Sequence, residues 1–209
     1  MFGAILAQCC RDAAATYARA DAELAFATAQ ELGHRASQGH LFLGWALALQ
    51  GEAAAGVALI TQSLAAHEAA GLKLFRPYRL ALLAEAYGQA GQCEAGLATL
   101  AEALTQVDAT EERSWEAELY RLKGVLLLQR LPPDVSQAEA CFQQALDVAR
   151  RQQAKALELR AALSLARLWQ GQGQRAAARQ LLAPIYDWFT EGFDTVDLQE
   201  AQALLDALV

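Results

Sequence analysis

The feature that most restricts how this chain can fold is a spacing. Small residues stand at Gly44, Ala84, Gly124 and Ala166, and bulky apolar ones at Ile60, Leu100, Phe142 and Leu182. Both series advance by 40 residues, and once by 42. A period of this size marks one supersecondary unit stacked on copies of itself. The clearest copy runs from Leu82 to Leu104. Leu83, Ala84 and Tyr87 share one helical face, Gly91 breaks the chain, and Gly96, Leu100, Ala103 and Leu104 form the answering face. Two helices of a hairpin approach closely only where a side chain is nearly absent, which explains the small residue in each helix. Gly51 and Gly173 supply the same turn in the first and fourth copies. In the third, Leu131-Pro132-Pro133-Asp134 takes its place, because Pro-Pro cannot continue a helix, and the two extra residues fall there.

The boundaries follow from this register. Residues 34–72, 73–109, 110–152 and 153–192 are four hairpins within one helical domain spanning 1–209. Residues 1–33 hold an N-terminal half repeat, a helix from 9 to 32 with Ala13, Tyr17, Ala20, Leu24 and Ala27 at three- and four-residue steps and Gly33 ending it. Pro77 suits the first turn of a helix, and Ser114 opens another. Toward the end, a helix runs to about Thr190, with Gly192 at the left-handed position that stops it and Phe193 packed back on Trp188. Asp194 or Thr195 then caps a final helix, 193–209, apolar at Leu198, Ala201, Leu205 and Leu208 and polar opposite, as suits a closing element. The expectation is an all-α chain: a right-handed solenoid of about ten helices in antiparallel hairpins, with a C-terminal capping helix.

Alanine and leucine outnumber valine and isoleucine, which favours helices over strands. A net charge of −7 argues against a nucleic-acid backbone binder and against docking on anionic lipid. Met1 to Ala7 is too short to span a bilayer and lacks a basic leader, so no targeting or membrane segment is expected. Cys9, Cys10, Cys93 and Cys141 show no metal or disulfide spacing, and reduced thiols in a cytoplasm are the expectation.

Catalytic chemistry finds no support in the pattern. His67-Glu68 opens like a zinc-protease helix but has no second histidine four residues on, so it is expected to be a surface pair. His34 and His40 do not share a helical face. Gly171-Gln172-Gly173 follows a helix, lacks the lysine of a phosphate loop, and is a turn. No nucleophile has a base at a defensible spacing, and no cofactor is implied.

Recognition by a surface remains. In stacked hairpins the first helices line the inner, concave wall. Counting from each small residue, that wall presents Gln38 and Trp45, then Tyr78 and Glu85, then Glu118 and Arg121, then Arg160, Arg167 and Gln170. Arg160 and Arg167 are seven apart and, with Arg121, compose either a carboxylate-binding patch for an acidic protein or peptide segment or a solvated face with local glutamate partners. Trp45 and Tyr78 are candidate groove anchors or, equally, ordinary packing between repeats. At the other end, one side of Tyr17, Leu24 and Phe26 has no assigned cover beyond Phe2, Ile5 and Leu6. This predicts that two chains meet through their N-terminal helices, or that an upstream domain docks there.

The order apolar, small, bulky, turn, small, bulky, small resembles the tetratricopeptide repeat (TPR), here with longer helices or loops. Three segments extend the likeness: Phe75-Arg76-Pro77-Tyr78 leading into Leu82-Leu83-Ala84-Glu85-Ala86-Tyr87; Trp115-Glu116-Ala117-Glu118-Leu119-Tyr120-Arg121-Leu122-Lys123-Gly124; and Trp188-Phe189-Thr190-Glu191-Gly192-Phe193-Asp194-Thr195. They resemble the C-terminal TPR-like region of large bacterial AAA/STAND-type ATPase regulators, often fused to class III adenylate/guanylate cyclase domains. The resemblance implies a regulatory arm of a signalling ATPase or cyclase, although no nucleotide-binding segment is present to carry either activity. Two functions follow as expectations. The first is a non-catalytic interaction or scaffold module working through its concave groove. The second is a ligand-sensing regulatory domain, which requires an enclosed pocket near Trp45, Tyr78 and Arg121.

Overall fold

The computed structural model describes residues 2–208 and is helical throughout, with eleven helices among the described residues. It divides into two compact units, residues 1–112 and 113–209. The first holds α1 (Phe2–Cys9), α2 (Ala13–Ala29), α3 (Gly33–Leu49), α4 (Ala53–Ala69), α5 (Arg76–Gln89) and α6 (Cys93–Thr110). These form three hairpins, α1/α2, α3/α4 and α5/α6, with the first helices α3 and α5 also in contact. The second unit holds α7 (Glu116–Gln129), α8 (Val135–Arg151), α9 (Lys155–Gly171), α10 (Arg175–Tyr186) and α11 (Val196–Ala207). Here α7/α8 and α9/α10 are hairpins, and α11 packs on both α9 and α10.

The register read from the spacing is the register of the core. Ile60, Leu100, Phe142 and Leu182 are all fully withdrawn from water. Burying one such side chain contributes roughly 1.5–3 kcal/mol. The close approach is equally literal. A Cβ added to Gly44 would stand 2.7 Å from the Gly56 carbonyl oxygen and 2.9 Å from Ile60 Cγ1. In the second unit a Cβ on Gly124 would meet the ring of Phe142 at 2.5 Å. The turns at Gly51, Gly91 and Gly173 have φ of +99°, +69° and +79°, where glycine carries no Cβ penalty. In the proline turn, Asp134 caps α8 by accepting from the Gln137 N–H at 3.0 Å. Pro77 lies in the first turn of α5.

Six local expectations need correction. The N-terminal run is not one helix from 9 to 32. Arg11 turns left-handed (φ +59°) and Asp12 accepts from the Ala15 N–H at 2.8 Å, so a capped break separates α1 from α2 and the first hairpin has both of its helices. Gly33 begins α3 instead of ending α2; the left-handed residue there is Glu31, φ +55°. α7 begins at Glu116, with Trp115 at the N-cap position. α10 stops at Tyr186, not near Thr190, because Pro184 has no N–H to donate to the Gln180 carbonyl and weakens the last turn. Phe193 consequently packs on Tyr186, ring centroids 5.9 Å apart, while Trp188 meets Phe189 edge-on. Thr195 does occupy the N-cap of α11, but its hydroxyl donates to the Gly192 carbonyl at 2.7 Å and caps nothing.

Candidate functional site

In the first unit the expected groove anchors are knitted to one another. Trp45 of α3 is fully buried, and its indole N–H donates to Glu85 Oε2 of α5 at 2.7 Å. The other oxygen of Glu85 receives Arg11 Nη2, from the turn after α1, at 2.9 Å. Tyr78, also buried, donates its hydroxyl proton to Gln8 Oε1 of α1 at 2.7 Å. The end of α1 is thus seated on the side chains of α5. Aromatic groups placed this way hold helices together; they do not stand open as anchors.

The inner positions of the second unit are ion pairs. Arg121 grips Glu118 with two nitrogens, Nε to Oε2 at 2.9 Å and Nη2 to Oε1 at 2.7 Å. Arg160 is buried and directs Nε to Asp197 Oδ2 of α11 at 2.7 Å, with Nη1 3.9 Å from Glu118. Arg167 faces water and pairs with Glu200 at 2.8 Å. Gln170 is partly exposed. Arg160 and Arg167 therefore do point toward carboxylates, but toward those of the chain's own last helix. An acidic ligand at Arg160 would have to displace the partly buried Asp197 from a buried cation, which the chemistry disfavours.

A second feature of the first unit escaped the sequence. His67 is not a surface residue. It is 2% exposed, and its Nδ1 lies 2.7 Å from the Ser63 carbonyl oxygen and 2.9 Å from the Ser37 hydroxyl. A carbonyl only accepts, so Nδ1 carries the proton, a tautomer inferred from the network. Burial pushes the imidazole pKa below its ordinary value, outweighing the Ser63 hydrogen bond. His67 lines a cavity of about 50 Å³ together with Gln38 and Arg79, walled by Leu41 and Phe42. The recoverable signal was the serine four residues before the histidine, on the face of α4 that carries Ile60.

In the second unit a wider cleft lies against the exposed Trp188. Lys155 Nζ sits 5.7 Å from the centre of its ring and also binds Glu158 Oε2 at 2.7 Å. Arg150 Nε reaches Glu158 Oε1 at 3.0 Å. Burial alone would raise the Glu158 carboxyl pKa, but the Lys155 and Arg150 hydrogen bonds more than offset it and the value falls below the usual carboxylate range. Among the described residues no three His, Cys, Asp or Glu side chains come together as metal ligands. No helix of the described residues is long and apolar enough to cross a membrane.

Hairpins in this register, packed through paired small residues, define a helical repeat protein of TPR-like fold. Solved structures share it. One is a kinesin light chain-like protein of nearly identical TPR-like repeats from Podosopora anserina, and another is a point-substituted form of it. Each superposes with a TM-score of 0.59 at 19% identity, covering 82% of this chain and 84% of the other. At that identity the likeness is one of fold. No protein-family model matches the chain, and no curated protein matches it.

Proposed function

We propose that this chain is a non-catalytic interaction module, a regulatory arm that binds a protein or peptide on behalf of a nucleotide-driven signalling ATPase or cyclase. The observation that carries the reading is where large apolar side chains remain outside. Leu74 (66% exposed) and Phe75 stand on the loop joining α4 to α5, and Trp188 (58% exposed) and Phe193 on the segment joining α10 to α11. Exposed apolar groups at the junctions of a repeat scaffold are the kind of surface that partners cover. Gln38, Arg121, Arg167 and Gln170 retain accessible surface for polar contacts with such a partner. Trp45, Tyr78 and Glu85 in the first unit, and Glu118 and Arg160 in the second, are each engaged with side chains of their own unit. Photo-crosslinkers at Leu74, Arg167 and Trp188 of the full chain, activated in its native cells, are expected to trap one shared protein partner. Absence of any specific adduct at all three positions overturns the reading.

A second copy through the N-terminal hairpin is a further candidate partner, supported by the exposure of Tyr17 and Phe26. Leu24 is partly covered and faces Gly39 of α3, so it belongs to the unit's own packing. Tyr17→Glu with Phe26→Glu should then convert a dimer to a monomer in light scattering; a monomeric parent chain refutes it. The second reading, a ligand-sensing regulatory domain, is favoured by the polar cavity at His67. That cavity lies beside Tyr78, as expected, but Trp45 and Arg121 do not line it.

A further inference from the structure

We propose that the cavity bounded by α1, α3, α4 and α5 binds a small carboxylate bearing an apolar substituent, its head received by Arg79, Gln38 and His67. This rests on the ligand-sensing reading above.

Three polar atoms in this one place are withdrawn from water and lack a hydrogen-bond partner: Gln38 Oε1, His67 Nε2 and Arg79 Nε. Buried nitrogens and oxygens in folded proteins are almost always partnered, so one orphan atom on each of three residues that line a single cavity points to a ligand that completes the set once the side chains turn toward it. The charge selects the ligand. Arg79 is 6% exposed, and Nη2 donates to the Leu72 carbonyl at 3.0 Å. Among the described residues no carboxylate is in ion-pair contact with it; Glu112 acts on it only through space. A buried cation whose opposite charge, Glu112, does not touch it keeps unmet hydrogen-bonding capacity, and a planar carboxylate matches the edge of a guanidinium. Burial, and then the neighbouring Arg76 charge, push the Arg79 pKa down against the opposing pull of Glu112.

Size sets the rest. A water needs about 10–15 Å³ of such space, so about 50 Å³ admits roughly four heavy atoms, a carboxylate and its first carbon. Leu41 and Phe42 supply apolar wall, while the partly exposed Ile5 and half-exposed Phe75 mark the open side, where a short aliphatic or aromatic substituent fits. Gln38 offers its amide nitrogen after a half-turn about its last bond. His67 Nε2 bears no proton in the neutral ring, since Nδ1 holds it against Ser63, so a carboxylate there draws one proton onto Nε2. The groups facing this ring are His34 of α3, edge-on with centroids 5.3 Å apart, and Arg79 of α5. Arg76 of α5 and Glu112, beyond α6, act on Arg79 in turn.

The test is a titration of the full chain with sodium propionate, sodium benzoate and inorganic phosphate, followed by the ring nitrogens of His67 in NMR and by calorimetry. Expected are saturable binding of propionate or benzoate and conversion of His67 to imidazolium. Affinity should fall about tenfold per pH unit where one proton is taken up. Gln38→Leu and Arg79→Gln should each weaken binding at least tenfold; if Arg79→Gln fails to fold, Gln38→Leu still decides. An unchanged His67 signal with both carboxylates, binding of phosphate alone, or full affinity in Gln38→Leu overturns the proposal. Crosslinking at Leu74, Arg167 and Trp188 reads the interaction role separately. Calorimetric binding that leaves the crosslinked partner unaltered would remove the regulatory reading while keeping the site.

Discussion

Trp45 and Glu85 are one repeat period apart in the chain, and in the structure the indole N–H of the first donates to the carboxylate of the second at 2.7 Å. Each occupies the same place on its own helix, one residue after the small position of its hairpin. The period therefore acts twice, setting which helices pair and joining neighbouring first helices α3 and α5. Glu85→Ala leaves a fully buried indole N–H without an acceptor and Arg11 without its carboxylate. Such an orphan costs about 1–3 kcal/mol. Urea unfolding followed by tryptophan fluorescence should show the loss; an unchanged midpoint would mean water replaces Glu85.

The glycines divide by what surrounds them. Gly56→Ala drives a Cβ into the Gly44 carbonyl and within 2.8 Å of Ala48 Cβ, and overpacking of this kind costs about 1–3 kcal/mol. Gly33 has no neighbour within 4 Å of such a Cβ and sits in the first turn of α3. Gly33→Ala should leave stability unchanged or raise it by about 0.4–1 kcal/mol through the unfolded chain. Thermal denaturation of the two variants compares them directly, and equal shifts would contradict the hairpin geometry.

Two arginines on one helix face should respond very differently. Arg160→Ala removes a buried cation from Asp197 and Glu118, for which about 3–5 kcal/mol is expected. Arg167→Ala breaks an exposed pair with Glu200, worth about 0.2–1 kcal/mol. Comparable melting temperatures for these variants would show that Arg160 is not held as the structure places it.

The pH response of the first unit should carry the mark of His67. Its pKa is depressed in the folded state by burial, so below the unfolded value of 6.5 the unfolded chain binds more protons. Stability from this group is then level above that pH and declines as pH falls from it toward the lowered folded value. Chemical denaturation between neutral pH and about pH 5 should show the decline, and His67→Gln should flatten it. Parallel curves for the two proteins would sink the assignment.

Hairpin order, the buried column Ile60, Leu100, Phe142 and Leu182, the glycine turns and the proline turn all rest on contacts within one repeat. Sequence spacing alone determines them, because the helical period ties a residue's face to its number. The break at Arg11 and Asp12 was also local, an aspartate three residues before a helical amide, but a long alanine run on either side concealed it. What only the tertiary structure decided is which polar side chains find each other across helices. Nothing in the spacing distinguishes an arginine facing solvent, such as Arg167, from one buried against a carboxylate 37 residues away, as Arg160 is against Asp197. His67 reads as exposed beside Glu68, and becomes a core residue only because Ser37 of the preceding helix lies against it. Periodicity assigns a side chain to a face; the neighbour that fills that face, and the cavity left where it does not, depend on how three-dimensional volumes meet.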